Sequence, residues 1–330
     1  MTSQPHPDTA EQPEAMAPER IAVIGAGALG SFVGARLAHA GYATTLIDND
    51  PARVNAINDA GLRLESDQVT LEITVPASLA SDLTQPFDLL IILTKAAHTE
   101  TAIASCRHLL GPATHLLTFQ NGLGNAALLA RYVDPDRIVV GMTNWAADSV
   151  GPAHVRSVGQ GEIRIWHMSG RDEPAVRAIA DVLNRAALRG TADPNVEAAI
   201  WEKVAFNAAM NSVAAMTGLT VGEIGDDANG RSLAGTVANE VVGVARAKGL
   251  GADQQKVAAM LEYAFQSHRS HRPSMLQDIL AGRRTEIEAI NGAVVAEAKQ
   301  LGRSVPVTET LLKLVRMRDR PAPKNSNEQA

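Results

Sequence analysis

The chain has 330 residues, 45% hydrophobic and 20% charged, with a formal net charge of −6 at pH 7. That length accommodates two domains and the composition is globular. The acidic balance and 3% aromatic content exclude a basic surface for nucleic acid or anionic membrane and a base-stacking platform. Cys106 is the only cysteine, so no internal disulfide forms; this fits a reducing compartment, and a cytoplasmic location is expected.

Residues 1–19 carry Pro5, Pro7, Pro13 and Pro18 among polar residues, without an apolar core segment. They read as a disordered extension and not as a signal peptide. Ile21-Ala22-Val23-Ile24 then leads into Gly25-Ala26-Gly27-Ala28-Leu29-Gly30 and a helical pattern reaching about Ala40, where Gly41 stops it. A buried strand, a G-x-G-x-x-G turn and a helix start form a phosphate-cradling unit. Gly25 permits the turn, Gly27 admits a pyrophosphate to the backbone, and Gly30 lets helix pack on strand. A glycine-rich turn of some other α/β protein is the competing reading; the flanking strand and helix favour the dinucleotide.

Ala43–Ile47 is a second strand, ending in Asp48-Asn49-Asp50. Phe87–Leu93 is a continuous apolar run, as in a strand covered on both faces, and ends at Thr94-Lys95. His115–Phe119 ends at Gln120-Asn121-Gly122-Leu123-Gly124. Helical stretches between these strands imply a doubly wound parallel α/β sheet, with ligands at its carboxyl ends, where Lys95 and Asn121 stand. Further strands are expected at Ile138–Val140, from Ala153 and at Ile163–Ile165. A helix near Pro174–Ala187 then closes a cofactor domain over 20–194. From 195 to 320 the period is helical, with breaks at Gly218–Gly225, Gly249–Gly251 and Gly302, so an all-α second domain is expected. Residues 321–330 read as a disordered tail. No apolar stretch reaches a membrane span.

Val196–Thr217 reads as one helix. Lys203, Asn207 and Asn211 are spaced i, i+4, i+8 and share one face of it. A solvated stripe is the plain reading; a substrate grip is the alternative, because a buried asparagine needs a hydrogen-bond partner. Pro273-Ser274-Met275-Leu276-Gln277-Asp278 precedes Arg283-Arg284-Thr285-Glu286-Ile287. On one continuous helix Ser274 and Glu286 would diverge by about 120°. They converge only across a break, for which Gly282 is the candidate. His268-Arg269-Ser270-His271-Arg272 is a cationic cluster that either attracts an acidic substrate or is a solvated loop. No third ligand joins His268 and His271, so no metal site is expected.

Gly25-x-Gly27-x-x-Gly30, Lys95, Gln120-Asn121-Gly122, Trp201-x-Lys203-x-x-x-Asn207-x-x-x-Asn211, Ser274–Asp278 and Thr285-Glu286-Ile287 together resemble the ketopantoate reductase (2-dehydropantoate 2-reductase) family over about residues 20–318. The resemblance implies a Rossmann domain and a helical domain like the C-terminal part of 6-phosphogluconate dehydrogenase. It implies NAD(P)H-dependent reduction of a 2-keto acid, 2-ketopantoate to D-pantoate on the pantothenate route. It further implies Lys203 as general acid and Glu286 as the group that holds the lysine or the nascent hydroxyl. Asn121, Lys95 and Ala147 would contact cofactor, with Gly25, Ala26, Gly27, Ala28, Leu29, Gly30, Asp48, Asn49 and Glu286. Asn121, Asn207, Asn211 and Ser274 would hold the substrate. No nucleic-acid or membrane partner is implied, and a homodimer is compatible.

Three positions depart from the family pattern. NADPH, the family default, usually meets a basic residue after the second strand; Asp48-Asn49-Asp50 stands there and favours NADH, because a carboxylate binds a ribose 2′-hydroxyl and repels a 2′-phosphate. Val221 and His271 stand where further asparagines are expected. These changes suggest a less hydroxylated substrate, as in relatives acting as NADH-dependent D-2-hydroxyacid dehydrogenases. A non-catalytic nucleotide sensor is the reading of another class, and intact Lys203 and Glu286 argue against it.

Overall fold

The structure is a computed structural model that describes residues 17–67 and 69–319. The expected extension up to residue 16 and the tail from Pro321 lie outside the described residues. In chain order the first part holds β1 (Arg20–Ile24), α1 (Ala28–His39), β2 (Ala43–Ile47), α2 (Pro51–Ala60), β3 (Leu62–Glu65), β4 (Thr70–Ile73), β5 (Ala77–Ser78) and β6 (Phe87–Ile92). There follow α3 (Thr99–Ser105), β7 (Leu110–Thr118), α4 (Asn125–Leu129), β8 (Ile138–Thr143), β9 (Asp148–Gly151), β10 (His154–Arg156), β11 (Ile163–His167), α5 (Pro174–Arg185) and β12 (Gly190–Ala192).

Eight strands form one sheet in the order β12-β11-β8-β7-β6-β1-β2-β5. From β5 to β8 every pair is parallel, the doubly wound pattern read from the alternation of strand and helix. β11 then runs antiparallel to β8 and carries β12 parallel to itself. A second, four-stranded sheet, β4-β3-β10-β9, contains the strand expected from Ala153 as β10; its other strands are short and half exposed and gave no apolar run.

The apolar run of β1 is explained by its two neighbours in space. Ile21 and Val23 point into one core with α1, α2 and α5, while Ala22 and Ile24 enter the opposite core with Ile103, Cys106 and Leu129. Successive side chains of a strand alternate faces, so a strand covered twice has no polar position to spare. Each fully buried Ile or Leu there contributes about 1.5–3 kcal/mol relative to exposure.

The rest of the chain is helical: α6 (Val196–Thr217), α7 (Val221–Asp226), α8 (Ala228–Ala247), α9 (Gln254–Ser267), α10 (Ser274–Leu280), a π-helical turn at Glu288–Gly292, α11 (Ala293–Gln300) and α12 (Pro306–Arg318). The central α6 spans the residues expected of it and packs against α8, α9, α10 and α12. Gly218 ends it in the left-handed region at φ +77°. The break expected over Gly218–Gly225 is shorter than the glycines suggested. A capping box of Thr220 and Glu223 starts α7 inside it. Gly222 and Gly225 lie within α7, where a Cβ would come within 2.8 Å of Arg269 Cβ and 2.6 Å of Phe265 Cβ. Those two glycines serve close packing and do not break the helix. No helix among the described residues is long and apolar enough to cross a membrane.

Candidate active site

The glycine turn has the geometry its residue types demand. Gly25 sits at φ +97°, donates its N–H to Ile47 O at 2.7 Å, and would bring a Cβ within 2.9 Å of Thr94 N. At Gly30 a Cβ would fall 1.8 Å from Gly25 O, so α1 can lie this close to β1 only without a side chain there. Gly27 is different: a Cβ there would meet no protein atom within 4 Å. The space is left open at the start of α1, where Ala28, Leu29 and Gly30 provide first-turn N–H groups. Gly30→Ala is therefore expected to cost more than about 3 kcal/mol of stability, whereas Gly27→Ala leaves Tm unchanged and weakens NADH binding. Thermal denaturation beside NADH titration reads both; a Tm loss in Gly27→Ala would remove the distinction.

Asp48 ends β2 and is tied to this turn. Its Oδ2 accepts the Ala26 N–H at 2.7 Å and its Oδ1 accepts the Asp50 N–H at 3.0 Å. Asp50 caps α2 through Ala52 N, and Asn49 is exposed. Arg53, not singled out by the sequence, reaches back from α2 to donate to Ala26 O at 2.8 Å, and its Nε is buried without a partner.

The carboxyl ends of β6 and β7 are bridged by the segment after α10. α10 stops at Leu280 and Gly282 takes φ +64°, so the break that Ser274 and Glu286 required is present. Glu286 then accepts the Asn121 Nδ2–H at 3.1 Å and lies 3.4 Å from the Ala96 N–H. Leu123 N donates to Ala289 O at 2.8 Å, and Gly122, at φ +84°, would place a Cβ 2.4 Å from the same oxygen. Lys95 turns to this segment as well: its Nζ lies 2.5 Å from Asp278 Oδ1 and donates to Arg284 O at 3.3 Å. Asp278 is buried and also receives Arg283 Nε at 3.0 Å. Asp278 stood inside a quoted motif, but nothing in the sequence marks a buried carboxylate until its cationic partners are known. Gln120 was missed similarly; its amide holds Thr94 O at 2.6 Å and Thr99 Oγ1 at 2.8 Å, fixing one strand end to the next.

On α6 the stripe is partly withdrawn from solvent. Lys203 and Asn207 are half-buried and Asn211 is 5% exposed. Burial lowers the Lys203 ammonium from 10.5 to about 8, and the negative charge of Glu286 opposes that shift. Lys203, Glu286, Asn121 and Lys95, from four separate parts of the chain, thus belong to one cluster. Ser274 is exposed at the first residue of α10, which packs on α6. Ala147 is half-buried in the turn before β9, seated against the sheet core. Asp48 and Asn49 lie with the glycine turn, and none of their hydrogen bonds reaches the lysine cluster.

The two unusual positions are neighbours. Val221 N donates to His271 O at 3.0 Å, and Val221 is buried. Desolvation holds the His271 imidazole below its usual value while Asp148, beside Ala147, pulls it back up. Of the cationic cluster, Arg269 is spent on Asp226 at 2.5 Å, so it is a structural pair at the surface.

Residues 21–170 match the family described as ketopantoate reductase PanE/ApbA, and residues 195–319 match ketopantoate reductase PanE/ApbA C terminal. The 2-dehydropantoate 2-reductase of Streptococcus pyogenes serotype M18 is 30% identical over 300 residues, 91% of this chain and 97% of that protein. That of Halobacterium salinarum is 33% identical over 303 residues, covering 91% and 99%. Among solved structures, the ternary structure of D-mandelate dehydrogenase with NADH and anilino(oxo)acetate superposes with TM-score 0.87 at 30% identity, covering 91% and 98%. With both halves matched and relatives 30% and 33% identical over 91% of the chain, the chain belongs to the ketopantoate reductase family.

Proposed function

We propose that the protein reduces a 2-keto acid to the 2-hydroxy acid with a nicotinamide dinucleotide held at the Gly25–Gly30 turn, in the cleft between residues 20–194 and 195–320. The observation that carries this is the Glu286 cluster. One carboxylate is hydrogen-bonded to Asn121 and bears electrostatically on Lys203, a lysine kept acidic enough to give up a proton near neutrality. The open space at Gly27 fits a pyrophosphate. When bound, the cofactor supplies the hydride. Lys203 gives its proton to the carbonyl oxygen and, as a cation, favours charge building on that oxygen. Glu286 orients Asn121 and keeps Lys203 charged. Lys95 holds the substrate edge or the nicotinamide half, Ala147 contacts cofactor through its backbone, and Asn207, Asn211 and Ser274 hold the carboxylate and side-chain hydroxyls. In the family's named reaction the substrate is 2-dehydropantoate and the product D-pantoate.

A second reading is supported by Val221 and His271, neighbours through the Val221 N–H to His271 O bond, which stand where a hydroxylated substrate would want amides. On it, the enzyme is an NADH-dependent D-2-hydroxyacid dehydrogenase acting on a less hydroxylated keto acid; the similar D-mandelate dehydrogenase was solved with NADH and an anilino-substituted oxoacetate. A panel of 2-keto acids against NADH and NADPH decides between them. Best turnover of ketopantoate supports the first reading; best turnover of an apolar or aryl keto acid supports the second.

For either substrate, Asp48 favours NADH. Asp48→Ala with Asn49→Arg is expected to move the NADPH-to-NADH ratio of kcat/KM toward NADPH by about ten- to a hundredfold, the scale of replacing a repelled phosphate by a paired one. Asp48→Asn alone removes the charge while keeping an acceptor for the Ala26 N–H. An unchanged ratio in both variants would show that Asp48 only shapes the turn.

A further inference from the structure

Away from the cleft, a groove of about 510 Å³ opens between the later turns of α1, the β3–β4 hairpin, the segment after β8, the loop before β11 and the loop between α5 and β12. Arg36, Arg189, Trp145, Ser157, Gln160 and Asp67 are among the residues that line it. We propose that this groove is a second binding site, for a small molecule bearing an oxyanion group, separate from the dinucleotide turn.

Two guanidinium groups line it, and neither forms an ion pair with a carboxylate among the described residues. Arg36 is half-buried; its Nε is shut from solvent with no hydrogen-bond partner among the described residues, and its guanidinium carbon lies 5.7 Å from the Phe32 ring centre. Desolvation lowers its pKa and no neighbouring charge offsets that effect. Arg189 donates to a neutral acceptor, Gln160 Oε1, at 3.0 Å. The one carboxylate in the wall, Asp67, accepts the Gly159 N–H at 2.5 Å. A buried cation without an acceptor is costly, and an arginine presents its donors in a fork that matches carboxylate or phosphate oxygens. The Arg36 and Arg189 guanidinium groups on the same groove define a positive subsite for such a group.

The wall is rigid enough to hold one. Trp145 is packed 5.1 Å from the Phe32 ring, and its Nε1 donates to Leu188 O at 2.9 Å. That bond pins a loop in which Ala187 and Arg189 take φ +56° and +53°, the only non-glycine residues at positive φ among the described residues. Left-handed backbone at two side-chain-bearing residues is unfavourable, and the Trp145 contact sustains it while aiming Arg189 into the groove. Trp145 continues into Ala146 and Ala147, so this wall is also the back of the loop expected to touch the cofactor.

The test is calorimetric titration of the protein with sodium pyrophosphate and, separately, sodium citrate, at constant ionic strength and with saturating NAD⁺ occupying the dinucleotide site. Tryptophan fluorescence is followed in parallel. Saturable binding of either anion is expected, pyrophosphate marking a phosphate-bearing ligand and citrate a carboxylate. Arg36→Met and Arg189→Gln should each weaken it by about tenfold or more. Arg189 is exposed, so its variant keeps the test valid if Arg36→Met fails to fold. Absence of saturable binding, loss of binding on adding NAD⁺, or unchanged affinity in Arg189→Gln would each overturn the proposal.

Discussion

Lys203→Met is expected to lower kcat for keto-acid reduction by about a thousandfold or more while leaving the protein folded and at least as heat-stable as the parent. The loss combines a missing proton donor with missing charge at the nascent alkoxide. The stability result follows from linkage. The folded-state value of about 8 lies below the ordinary 10.5, so between those pH values the unfolded chain binds more protons than the folded one. Burying the charged lysine therefore costs stability in full below about pH 8, and the cost fades as pH rises toward 10.5. That penalty is on the order of 1–3 kcal/mol, and methionine removes it. In the parent, kcat/KM should be flat near neutrality and fall above about pH 8, as the proton to be donated is lost. A variant that retains turnover would show that another group is the acid. A variant that unfolds would show that the lysine is structural.

Glu286→Gln is expected to lower kcat by about a hundredfold and to move the alkaline limb of the pH profile to lower pH. The glutamine still accepts from Asn121, so the bridge to β7 persists, but the negative charge that keeps Lys203 protonated is gone. With desolvation unopposed, Lys203 loses its proton earlier. The direction of the limb is the decisive readout, because a purely structural Glu286 would reduce kcat and leave the limb where it was. Cofactor affinity is measured alongside, since Glu286 also faces the Ala96 N–H.

Local rules were sufficient for the first cofactor element and for α6. β1, the glycine turn and α1 are adjacent in sequence, and each depends on residue types within a few positions: apolar alternation, three glycines and a helix start. The same holds for the α6 stripe, because a helical spacing places Lys203, Asn207 and Asn211 on one face whatever surrounds them. What local spacing could not tell is whether that face is wet. The answer lies in partners more than 70 residues beyond Lys203: α10 packed on α6, and Glu286 bearing on Lys203. The resemblance of motifs supplied the roles in advance; residue spacing alone did not.

Of the small second sheet only β10, expected from Ala153, was legible, because β3, β4 and β9 carry too few apolar positions for a periodic signal. The glycines of α7 were misread as breaks because their reason, close contact with Arg269 and Phe265, lies across the fold. The sequence by itself determined a dinucleotide turn, a central helix with a lysine–asparagine face, and an acidic residue at the end of β2. Only the tertiary structure decided that Asp48 also braces the glycine turn, that Asp278 takes Lys95, and that Val221 and His271 are joined through their backbones. The physical reason is range. Backbone propensity and helical phase act over a few residues and are written in order along the chain, whereas desolvation, ion pairing and cavity shape depend on which distant segments are brought to the same few ångströms.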